Sequence, residues 1–63
     1  MERLVHKGVV FFVELDRDEG FYLIRFKLNK KTVQRRTKTR LRSMAIRRAR
    51  YAIDRALRAQ LGW

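Results

Sequence analysis

Between Arg25 and Arg50 the chain carries twelve basic residues and no Asp or Glu. Like charge at this density works against a compact state, and a chain of 63 residues has little core to oppose it. Whatever fold this segment adopts must spread its cations over solvent-facing positions. A polyanionic partner then offsets the repulsion, and nucleic acid is the commonest polyanion. The formal net charge of +11 points the same way. The acids are unevenly placed: Glu14, Asp16, Asp18 and Glu19 sit together, and Glu2 and Asp54 are the other two. The molecule is therefore electrically asymmetric, with an acidic corner on a basic body, which orients its approach to a polyanion.

Hydrophobic content of 46% is enough for a folded domain despite 37% charged residues. With no cysteine, neither a disulfide nor a thiolate metal site is available. The single histidine, His6, has no acids clustered near it in sequence, so no metal or other cofactor is expected and His6 reads as incidental. No apolar run approaches the roughly 20 residues of a membrane span, and Val9–Val13 lacks the flanks of a signal peptide. These features predict one small cytoplasmic domain, associated with the nucleoid if it binds DNA. The chain reads as a whole small protein.

Apolar periodicity divides the chain into four elements. Val9–Leu15 is β-branched and aromatic and reads as a strand after Gly8. Asp16–Gly20 is a turn, in which Asp bonds its own backbone and Gly supplies positive φ. Phe21–Leu28 is a second strand, Asn29-Lys30-Lys31 a second turn, and Thr32–Thr39 a third strand rich in Thr and Arg. Ser43 is the expected helix N-cap, with Thr39 as the alternative. Ala45, Ile46, Ala49, Ile53, Ala56, Leu57, Gln60 and Leu61 share one side of the helix Ser43–Leu61. Gly62 is the expected C-terminal cap, with Trp63 folding back on Leu57 or Arg58. The fold class is α+β: a three-stranded antiparallel sheet packed on one C-terminal α-helix.

Alternation along the second strand assigns the faces. Tyr22, Ile24, Phe26 and Leu28 point to the core; Phe21, Leu23, Arg25 and Lys27 point away. A two- or four-residue turn at 29–31 keeps the parity, so that Val33, Arg35 and Thr37 join the core face and Gln34, Arg36 and Lys38 the open one; a three-residue turn swaps them. On the first strand Val9, Phe11, Val13 and Leu15 form the core set. One helix leaves the second sheet face uncovered, carrying Arg25, Lys27, Gln34, Arg36 and Lys38 interleaved with Phe12, Phe21 and Leu23.

Lys and Arg on such a face neutralise phosphates and release counterions, while Arg forks onto guanine and Gln onto adenine in the major groove. Lys30 and Lys31 in the turn are a candidate backbone clamp. Arg40, Arg42, Arg47 and Arg48 gather at the helix start, where cations oppose the dipole but free N–H groups favour an anion. The alternative for the whole face is a solvated surface that blocks edge-to-edge aggregation. Tyr51 reads as a packing residue. No Ser–His–Asp grouping and no Gly-rich phosphate loop is present, so the chain is not expected to be an enzyme.

The sequence Gly20-Phe21-Tyr22-Leu23-Ile24-Arg25-Phe26 resembles the second strand of the AP2-like and arm-type DNA-binding domains of phage and transposon integrases. Arg36-Thr37-Lys38-Thr39, followed by Ala45, resembles their passage from strand to helix. The resemblance covers Val9 to Leu61. It implies that the open sheet face enters the major groove of double-stranded DNA, with Arg25, Lys27, Gln34, Arg36 and Lys38 reading it. Arg42 and Met44 stand where that family places an acid early in the helix, and integrase chemistry itself is not implied. A phage or mobile-element regulatory or recombination accessory role is the expectation. Structured RNA and an acidic host protein are the alternative partners, and the exposed apolar residues leave homodimerisation open.

Overall fold

A computed structural model describes residues 2–60. It contains four strands and one helix: β1 Glu2–His6, β2 Val9–Asp16, β3 Phe21–Leu28, β4 Lys31–Arg36 and α1 Arg42–Gln60. The strands form one antiparallel sheet in the order β1-β2-β3-β4, each pairing with its sequence neighbour. The α+β class, the antiparallel sheet and the C-terminal helix are as expected, but the sheet has four strands and not three. The extra strand is β1. It joins β2 through Lys7-Gly8, whose φ values of 51° and 79° are those of a tight two-residue hairpin turn.

The β3–β4 turn is also two residues long. Asn29 and Lys30 take φ 53° and 66°, and Lys31 already opens β4. Parity is therefore kept. Between β2 and β3 the Asp16 carboxylate accepts the Asp18 N–H at 3.0 Å, and the Asp16 carbonyl accepts the Gly20 N–H at 2.7 Å.

The core lies between the sheet and the helix. Phe11 opposes Phe26 and Val13 opposes Ile24 across the β2–β3 ladder, and all four are buried. Phe26 in turn opposes Val33 on β4. Ala45, Ala49 and Ile53, each one helical turn apart, are completely buried against them. Two alanines at the contact allow the helix backbone to approach the sheet closely, and Ile53 fills the wider end. Gln60, expected on this side, is exposed, as is Leu15. The expected caps and contacts at Leu61, Gly62 and Trp63 lie outside the described residues.

The third expected strand ends early, at Arg36. The Thr37 N–H and hydroxyl both donate to the Tyr22 carbonyl, at 2.9 and 2.7 Å, but the Tyr22 N–H reaches past Thr37 to the Thr39 carbonyl at 3.1 Å. The chain bulges out of the ladder there, leaving Lys38 exposed at the apex and Thr37 buried. Ser43 is not the N-cap, because α1 begins at Arg42 and Ser43 lies inside its first turn. The Thr39 hydroxyl accepts the Leu41 N–H at 3.1 Å, just ahead of the helix.

The helix packs against β3 and β2. The edge strand β1 is fastened to it by side chains. Glu2 pairs with Arg42. Asp54 Oδ1 lies 2.9 Å from His6 Nε2 and 3.0 Å from Lys7 Nζ. His6 is thus not incidental: strand parity aims it at the helix, where Asp54 receives it. The hydrogen bond with His6 and then that from Lys7 hold the Asp54 carboxyl below its usual value.

Candidate nucleic-acid interface

Strand register places the open-face side chains in rows. One row runs Arg3, Phe12, Arg25, Gln34 across all four strands. The next runs Glu14, Leu23, Arg36 across β2, β3 and β4. Lys27 stands opposite Thr32, and Asp16 opposite Phe21. Side chains directly opposite on neighbouring strands have Cβ atoms about 5 Å apart. Arg25 and Gln34 therefore project side by side, and Phe12 separates Arg25 from Arg3. Arg3, Arg25, Lys27, Thr32, Gln34 and Arg36 are all exposed, while Phe12, Phe21 and Leu23 are half-buried between them.

This surface is flat. The indentation between Phe12, Glu14, Leu23, Arg25 and Gln34 holds only about 10 Å³. That is the volume of a single water, so the face offers a plane to a large partner and no pocket to a small molecule.

Two contacts tune the cations at the β3 start. Arg36 Nη1 lies 3.8 Å from Glu19 Oε1, with both side chains at least half exposed, a weak pair in high dielectric that a phosphate can displace. The Arg40 guanidinium sits 5.5 Å from the centre of the Phe21 ring. This cation–π contact brings Arg40 to the open side of the sheet from beyond the bulge.

Of the residues expected to bind, Arg25, Lys27, Gln34 and Arg36 share the open face and Arg40 borders it. Lys30 sits at the tip of the β3–β4 turn, at the end of the face. The others are elsewhere. Lys31 opposes Leu28, which turns it to the helix side of the sheet. Lys38 leaves the sheet at the bulge. Arg42 is engaged by Glu2, and Arg47 lies on the helix, behind the sheet. The helix start and the open face therefore cannot press on the same flat surface together.

Arg3 was missed because its strand was missed. The signal that could have found it is Lys7-Gly8, a glycine-containing two-residue break between Glu2–His6 and the apolar run that follows. Glu14 is the one carboxylate well inside the face, opposite Leu23.

Among the described residues no three His, Cys, Asp or Glu side chains group as metal ligands, and no helix is long and apolar enough to cross a membrane. No family model, curated protein or solved structure matches the chain.

Proposed function

We propose that this chain is a non-catalytic module that binds double-stranded DNA by laying its open sheet face into the major groove. The observation that carries the reading is the row Arg3–Phe12–Arg25–Gln34 with its neighbours Lys27 and Arg36, the polar members exposed and Phe12 half-buried among them, on a plane that no described element covers. The type of each residue suits a task. Arg25 and Arg36 can fork onto guanine, Gln34 onto adenine, and the apolar Leu23 and Phe12 can meet thymine methyls. Lys27, Lys30 and Arg40, at the margins, neutralise phosphates.

Dimensions refine the docking. Strand spacing of about 4.8 Å makes four strands roughly 14 Å wide between outer axes, against a major groove about 12 Å wide. Three strands, roughly 10 Å, fit. In this reading β2, β3 and β4 enter the groove and β1 rides over its wall, so that Arg3 meets the backbone and carries no sequence information. This is the docking that the resemblance to arm-type integrase domains implies, with one strand added. Duplex RNA is disfavoured because its major groove is deep and too narrow to read.

The test is an electrophoretic shift series with duplex DNA, duplex RNA and single-stranded DNA at two salt concentrations. Tightest binding to duplex DNA, with Gln34→Ala relaxing base preference and Arg3→Ala weakening all sequences alike, is expected. Equal affinity for all three nucleic acids, or a preference for RNA, overturns the proposal. A regulatory or recombination accessory role in a phage or mobile element is compatible with such a module and is part of the same proposal.

A further inference from the structure

The helix packs on the two central strands, which leaves a groove along the edge strand β4. Because α1 packs on β2 and β3, Val33 on β4 is only half-buried although it opposes the buried Phe26. Val33 forms the floor, and Ala52 and Ala56 form the wall on the helix side. The space enclosed is about 760 Å³, open to solvent along one side. Its rim carries Arg35, Arg36 and Lys38 from β4 and the bulge beyond it and Arg48 and Arg55 from the helix, and no acid lines it. Arg48 and Arg55 are two turns apart and so point the same way. Tyr51 lies between them and is 65% exposed, contrary to its expected packing role.

Apolar floor and cationic rim together specify the occupant. A phosphate backbone has nothing to place on Val33, Ala52 and Ala56. A second copy of the chain brings its own charge of +11 against this cationic rim. We propose that this groove takes an acidic amphipathic segment of a partner protein, with apolar side chains at helical spacing on the floor and carboxylates between them on Arg35, Arg48 and Arg55. Such helix-in-groove docking needs a trough of this kind and apolar anchors one turn apart. The groove is on the helix side of the sheet, so it remains open while the opposite face holds DNA, and a partner can be tethered to a bound duplex.

The experiment uses the full chain and a fluorescein-labelled synthetic peptide of about 18 residues, with leucine at every third or fourth position and glutamate at most of the others. Anisotropy at physiological salt is expected to give a Kd on the order of 10 µM. Arg48→Glu with Arg55→Glu should weaken it about tenfold, since each reversal replaces attraction by repulsion. Arg25→Ala with Lys27→Ala, both on the open face and away from the groove, should leave it unchanged. A peptide with serine for leucine should bind at least about tenfold more weakly. Circular dichroism confirms that each variant is folded. No binding up to about 1 mM, equal binding of the serine peptide, or an equal loss in the Arg25/Lys27 variant overturns the proposal. Concentration-dependent self-association abolished by Arg48→Glu also overturns it, in favour of a second copy. Peptide binding that survives while no nucleic acid binds would leave this inference standing and remove the DNA reading alone.

Discussion

Removing Arg25 and Arg36 together probes the open face most directly. Six cations lie on or border that face: Arg3, Arg25, Lys27, Lys30, Arg36 and Arg40. If each offsets one phosphate charge, including Arg25 and Arg36, whose guanidiniums on base edges lie between the two phosphate rows of the groove, the log–log slope of affinity against salt is about −5.4, at roughly 0.9 per cation. A rise from about 50 to 200 mM salt then weakens binding roughly 1,800-fold. Arg25→Ala with Arg36→Ala leaves four contacts, a slope of about −3.6 and a loss of only about 150-fold over the same interval. Fluorescence anisotropy on a labelled duplex, titrated at four or more salt concentrations, measures both slopes. Arg47→Ala is the control. It removes the same charge from the helix side, and its slope should match the unmodified protein. Glu19→Gln is the converse perturbation, freeing Arg36 from its 3.8 Å pair, and should tighten binding. An Arg47→Ala effect as large as that of Arg25→Ala alone, or an unchanged slope in the double variant, refutes the assignment of binding to the sheet face.

Three further outcomes concern the scaffold. Ile53→Ala empties a fully buried site under the helix and should cost about 2–5 kcal/mol, much of the total of a domain this size, as measured by urea unfolding. Gly8→Ala meets no atom within 4 Å but must hold φ near 79°, so it should destabilise by about 1 kcal/mol through backbone strain alone, read as a lowered melting temperature. Asp54 has a lowered carboxyl pKa in the folded state, so its contribution to stability is present above the ordinary value of 3.8 and is lost as pH falls through the lowered one. Asp54→Asn should therefore lower the melting temperature at neutral pH and shrink the difference from the unmodified protein in strong acid; a difference independent of pH would show that the carboxylate charge is not what matters.

Much of this fold was legible because β2, β3 and α1 each bury a periodic apolar set. Val9, Phe11 and Val13 alternate, as do Ile24 and Phe26, and Ala45, Ala49 and Ile53 recur by fours. β1 was not legible for a physical reason. Two of its three helix-facing residues, Glu2 and His6, are polar, and they sit there because Arg42 and Asp54 meet them. A pattern of apolar residues cannot register a strand held by ion pairs. The end of β4 failed differently: Thr37 and Thr39 do bond to β3, but both to Tyr22, and a bulge has no periodic signature. The candidate site inherited both results. Arg25, Lys27, Gln34 and Arg36 follow from parity, whereas Arg3 depended on β1 and Lys38 on the bulge.

The order of the strands has a kinetic corollary. Each hairpin closes between neighbours along the chain, and such local closure favours rapid folding. The fastening of His6 to Asp54 spans 48 positions and can form only once helix and sheet have met. Asp54→Asn should accordingly leave the refolding rate nearly untouched and express its whole effect as faster unfolding. The N-terminal strand then behaves as a latch that sets how long the native molecule survives, with little say in how quickly it is reached.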